Sequence, residues 1–111
     1  NVHVSRDFSD VRDIVTVYHR LLSQWPAQAV SGSIINVGSG EAVSLKTLIR
    51  KLEILVQHTL EVKVNSTFVR INEIPELKAS TQRLNEWVPG LERFSLDQTL
   101  ADMLEAEPSK E

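Results

Sequence analysis

The chain has 111 residues, 41% of them hydrophobic, and a formal charge of −3 from 12 basic and 15 acidic side chains. That length suits one modest domain, and the interspersed charge presents no basic face for nucleic acid or acidic membranes. The absence of cysteine excludes disulfides, thiolate zinc sites and cysteine nucleophiles, and a cytoplasmic setting is expected.

No apolar run approaches the roughly 20 residues of a membrane span, and the opening NVHVSRDFSD lacks the basic, apolar, small-residue order of a signal peptide. A chain that starts with Asn1 is expected to be a piece of a longer gene product. Ile14, Val17, Tyr18, Leu21, Leu22 and Trp25 recur at three- and four-residue steps, which predicts a helix over 13–25 that Pro26 stops. After QAVSGS, the branched run SIINV, 33–37, closed by Gly38, reads as a buried strand. Ser44 is placed to cap a second helix, 44–57, with Leu45, Leu48, Ile49, Leu52, Leu55 and Val56 on its inner face.

LEVKV, 60–64, alternates apolar and charged residues as a half-exposed strand does, and a polar, irregular stretch follows. Ser80 is expected to cap a short helix through Leu84. Ser95 with Gln98 makes a capping-box pattern before Leu96, Leu100, Met103 and Leu104. Residues 1–105 would form one domain and 106–111 a frayed tail. The order SIINV, helix, LEVKV suggests a right-handed crossover, so the expected class is α/β, with few short strands and about four helices.

The glycines raise the question of a cofactor loop. Gly38 and Gly40 match the first two positions of Gly-x-Gly-x-x-Gly, but Val43 holds the third, and the helix opens only at Ser44, too late for its N–H groups to meet a phosphate. Glu61, in place of the ribose-binding acid, opens a strand instead of ending one. The glycines are therefore read as architectural, with no cofactor site in this segment. His3, His19 and His58 have no metal-ligand spacing, and no metal site is assigned. Ser39 is a turn serine, since Gly38-Ser39-Gly40 is not a nucleophile elbow. Tyr18 is the single tyrosine and Leu22 stands four residues on, so no Tyr-x-x-x-Lys pair exists in the chain and no catalytic residue is assigned.

Arg6, in SRDFSDVRDIV, and Arg70, in VRINEIP, lie outside helix faces beside carboxylates. A planar guanidinium grips two phosphate oxygens at once, so two of them would make a diphosphate clamp. Spacing alone favours plain surface pairing with Asp7 or Glu73.

Four segments in order, RDFSDVRDIV, IINVGSGEAVSLKTLIRKL, VRINEIPELKAS and LNEWVPGLERFSLDQTLADML, resemble the C-terminal part of extended short-chain dehydrogenases/reductases acting on nucleotide sugars. The likeness is greatest to GDP-mannose 4,6-dehydratases and GDP-4-keto-6-deoxy-mannose reductases. It implies the substrate-binding part of an NAD(P)-dependent dehydratase, reductase or epimerase, whose Rossmann core, cofactor loop and Tyr-x-x-x-Lys lie upstream, and which forms a homodimer when intact. By the resemblance, Arg6 and Arg70 hold the substrate diphosphate and Glu73 accepts from the ribose hydroxyls. Asp13 caps or ties the following helix, and Trp87 with Pro89 packs the chain end. Two positions depart from the family pattern: Ile71 stands in place of a proline and Ser80 in place of an aspartate. Two other readings stay open at this point, a non-catalytic interaction module presenting helix 44–57 and a stand-alone nucleotide sensor.

Overall fold

Residues 4–6 collect backbone partners from both later halves of the chain. Strand β1 (Ser5–Arg6) pairs antiparallel with β2 (Val43–Ser44) and parallel with β3 (Glu76–Leu77), giving the order β2-β1-β3. The ladder extends past its formal ends: Ser5 N–H donates to the Pro75 carbonyl, and Leu45 and Lys46 N–H donate to the carbonyls of Val4 and Val2. The structure, a computed structural model, describes residues 1–27 and 29–106.

Helix α1 (Val11–Ser23) starts two residues before the apolar period predicts, because Asp10 caps it by accepting the Arg12 N–H. Helix α2 (Leu45–Val56) is capped by Ser44 as expected and ends at Gln57 in the left-handed region, φ 54°. A single 3-10 turn, Ser66–Phe68, precedes the third strand. Helix α3 (Gln82–Trp87) begins after Thr81, with no side-chain cap, so Ser80 does not fill the expected role. Helix α4 (Leu96–Glu105) is capped by Ser95. Gln98 donates to Asp102 instead of reaching back to the cap, so only half of the capping box forms. The α/β class with four α-helices and short strands is as expected. Of the expected tail 106–111, residues 107–111 lie outside the described residues.

Two expected strands take a different form. LEVKV is exposed at all five residues, and with neither face covered it forms no ladder. SIINV is not paired either. The crossover built on those two runs is therefore absent among the described residues, and the parallel pairing occurs instead between β1 and β3.

The core is narrow. Val17, Leu84 and Val88 form its buried centre, with Leu21, Ile35, Val37, Trp87 and Leu91 packed around them. The inner face expected on α2 is only half-buried at Leu45, Leu48, Ile49 and Leu52, while Leu55 and Val56 are exposed. A radius of gyration of 17.2 Å exceeds the roughly 13 Å of a compact chain this long, so much apolar surface stays outside the core. Leu84→Ala, at a residue 1% exposed, is expected to destabilise by about 2–5 kcal/mol. Leu22→Ala, at a residue 84% exposed, is expected to change stability by less than about 0.5 kcal/mol. Urea denaturation of the two variants checks both.

Candidate functional site

Arg6 leaves β1 toward the loop that enters β3. Its Nη1 donates to the carbonyls of Ser5 (2.8 Å) and Ile74 (2.9 Å), and its Nη2 donates to Glu73 Oε1 at 3.1 Å. Two of the three sequence-assigned residues are thus brought together across 67 positions, by the parallel pairing of β1 with β3. Arg70 is exposed and makes no hydrogen bond or ion pair among the described residues. A groove of about 460 Å³ lies beside Arg6, lined also by Asn36, Val37, Lys78 and Ser80; neither Arg70 nor Glu73 lines it.

Asp7, the neighbour of Arg6, accepts four hydrogen bonds. Its Oδ1 accepts from the Ser39 N–H (2.9 Å) and hydroxyl (2.7 Å), and its Oδ2 from the N–H groups of Gly40 (2.9 Å) and Ala79 (3.1 Å). The glycine turn does form an anion-binding nest, and the anion is the chain's own carboxylate. A Cβ at Gly38 would lie 2.7 Å from the Ala79 Cβ, and Gly40 sits at φ +79°. Both glycines therefore serve the approach of Asp7. Burial pushes the Asp7 carboxyl up, but the Ser39 hydroxyl and the three amides outweigh it and hold it below the ordinary value.

A second knot joins α1 to α4. Asp10 is buried; beyond its cap it takes the guanidinium of Arg12 (Nε 3.0 Å, Nη2 2.8 Å) and the Thr99 hydroxyl (2.7 Å). Arg12 then reaches Asp102 at 2.8 Å and lies 3.6 Å over the Phe94 ring. Asp13 accepts the Phe94 N–H, so it ties the approach to α4, while the cap of α1 is Asp10. Trp87 is half-buried at the core as expected; Pro89 is exposed, and its carbonyl accepts from Arg20. Beneath the knot is a mainly apolar cavity of about 380 Å³. One of its linings is Arg93, whose Nη1 donates to the Ser39 carbonyl and whose buried Nη2 has no partner among the described residues. Its apolar walls suit no diphosphate, so the groove beside Arg6 is the candidate site.

Sequence reasoning missed Asp7, Asp10, Arg12 and Arg93. Asp10 carried a local signal, an Asx residue three positions before Asp13 at a helix start. Asp7 carried none, because its donors come from 32 and 72 residues away.

Arg12 first, then Thr99, holds the Asp10 carboxyl well below the usual carboxylate range. Both Asp7 and Asp10 therefore have folded values under the ordinary 3.8. Their stabilisation is complete above about pH 4 and is lost as pH falls through the folded values. The urea midpoint is expected to hold near neutrality and drop below about pH 4, more shallowly in Asp10→Asn. Asp7→Ala, which strands three amides, is expected to cost about 2–4 kcal/mol at pH 7.

No family model matches the chain. The GDP-6-deoxy-D-mannose reductase of Pseudomonas aeruginosa is 32% identical over 104 residues, 94% of this chain and 33% of the relative. Among solved structures, a protein of Burkholderia cenocepacia J2315 assigned as an epimerase superposes with a TM-score of 0.86 at 38% identity, over 95% of this chain and 33% of its own. RMD of Pseudomonas aeruginosa, complexed with NADPH, gives a TM-score of 0.77 at 32% identity, over 95% of this chain and 32% of its own. The chain spans about a third of the length of the relatives it matches. In sequence and in fold it thus matches the C-terminal third of epimerases and reductases of the extended short-chain dehydrogenase/reductase kind.

Proposed function

We propose that this chain is the substrate-binding part of an NAD(P)-dependent nucleotide-sugar dehydratase, reductase or epimerase, with a GDP-sugar as substrate. Arg6 and Arg70 would hold the diphosphate and Glu73 the ribose hydroxyls. The observation that carries this reading is the 94% coverage of the chain by a relative named for a GDP-sugar. The meeting of Arg6 and Glu73 from 67 residues apart supports it.

The donor count at Arg6 is compatible with the role. A guanidinium has five N–H donors; three are taken, two from Nη1 and one from Nη2, and five minus three leaves two. Two donors suffice for a grip on two phosphate oxygens. Glu73 engages Arg6 through Oε1, and its second oxygen remains as an acceptor for a hydroxyl. Arg70, on an exposed loop before Glu73, would swing to the diphosphate from the far side. Binding energy on that remote group orients the sugar for a reaction whose catalytic groups lie outside these residues.

The glycine turn does not fit a dinucleotide pyrophosphate. The amides of Ser39 and Gly40 are taken by Asp7, so NAD(P) is assigned to the remaining part of the enzyme. The purified chain is expected to show no turnover of GDP-sugars with NAD(P)H. GDP titrated into the chain by NMR is expected to bind, and Arg6→Ala and Arg70→Ala each to weaken it about tenfold or more, from charged hydrogen bonds of about 1.5–3 kcal/mol. No binding, or wild-type affinity in both variants, overturns the reading.

A further inference from the structure

The groove beside Arg6 carries a conflict of charge. Its charged lining is Arg6, Lys78 and Asp7, and a groove that takes an anion gains nothing from a carboxylate, which repels phosphate at such short range. An acid placed there serves another purpose.

That purpose shows in where its hydrogen bonds go. One wall of the groove comes from Asn36 and Val37 and the other from Leu77 to Ser80, and no backbone hydrogen bond joins residues 36–40 to 77–80 among the described residues. The Asp7 carboxylate makes the join instead. Its Oδ1 takes the Ser39 N–H and hydroxyl, next to the first wall, while its Oδ2 is shared by the Gly40 N–H at 2.9 Å and the Ala79 N–H, on the second wall, at 3.1 Å. Arg83 also bonds the Ile34 carbonyl, but neither residue lines the groove.

Packing gives an independent sign of the same spacing. A Cβ on Gly38 would stand 2.7 Å from the Ala79 Cβ and 3.0 Å from Asp7 Oδ2, so the two sides meet at a separation that leaves no room for a side chain. Asp7 is also one peptide from Arg6, whose guanidinium rests on the Ser5 and Ile74 carbonyls and on Glu73. We propose that Asp7 is a positioning residue of this site: without touching the ligand, its carboxylate holds the two walls at a fixed separation and sets the direction from which Arg6 enters between them. The ligand, the diphosphate of a GDP-sugar, rests on the function proposed above. A groove set in advance spares that ligand the cost of ordering its walls.

Charge and position predict opposite signs for Asp7→Asn. The substitution removes a negative charge from the groove, so by charge alone GDP binds as well as before or more tightly. Its NH₂, however, meets the Gly40 and Ala79 N–H groups donor to donor. The walls part, and GDP is expected to bind about tenfold more weakly. Affinity is read by NMR on the native amide peaks during a GDP titration, so that unfolded molecules do not enter the value and a loss of stability alone leaves it unchanged. Gly38→Ala tests the same spacing with the charge intact, and serves where Asp7→Asn does not fold. It is expected to weaken GDP binding about tenfold, and the double variant Gly38→Ala with Ala79→Gly, which returns the space, to regain most of the loss. Wild-type or tighter binding by Asp7→Asn, wild-type binding by Gly38→Ala, or a double variant no better than Gly38→Ala overturns the inference. If Arg6→Ala weakens GDP binding and Asp7→Asn does not, the substrate reading stands and the positioning role falls; a wild-type chain that binds no GDP overturns both.

Discussion

The carboxylate of Asp7 accepts four hydrogen bonds, from Ser39, Gly40 and Ala79, and in doing so pins the end of β1 to two loops far along the chain. The strands it serves are two residues each, too short to hold a register by their ladder alone. Hydrogen bonds to a charged group contribute about 1.5–3 kcal/mol each, roughly twice a neutral one. The close approach also explains the glycines: a side chain at position 38 would strike Ala79 and crowd Asp7. The physics of a phosphate loop is present, turned inward on the protein's own anion.

A second charged knot does for the helices what Asp7 does for the loops. Asp10, Arg12, Thr99 and Asp102 connect the start of α1 to α4, with Arg12 stacked on Phe94. Such polar ties matter here because the buried apolar residues are few among the described residues: Val4, Val17, Leu84, Val88 and Leu100. Burying Asp10 is tolerable because its oxygens meet a guanidinium, a hydroxyl and an amide. One consequence is that structural integrity leans on carboxylates remaining ionised, more than it would in a domain with a deep core.

What the sequence disclosed follows the range of the interactions involved. The helices were legible because apolar period, Ser44, Ser95 and Pro26 are local signals. The start of α1 was misplaced because the first turn, Val11 to Asp13, carries its cap in Asp10 and its outward Val11 breaks the inner stripe. LEVKV misled because alternation describes a strand only if another strand is there to pair, and pairing is not local. Arg6 and Glu73 were assigned by likeness, and the geometry joins them; the partners of Asp7 were invisible, since no periodicity relates residue 7 to residues 39 and 79. The family match came from four loose motifs in order, a signal carried by their sequence along the chain more than by any one of them.

The positions of these features along the chain couple them. Val37 ends the unpaired extended run, Gly38 follows, and Ser39 is already in the grip of Asp7. Asp7 in turn adjoins Arg6, whose groove is walled by Asn36 and Val37. A shift of the extended run would therefore be transmitted through a single intervening residue to the Asp7 nest, and from there through one peptide to the guanidinium. The glycine turn is thus a short link between the extended run and the Arg6 guanidinium, and its close packing around Asp7 is what holds it in place.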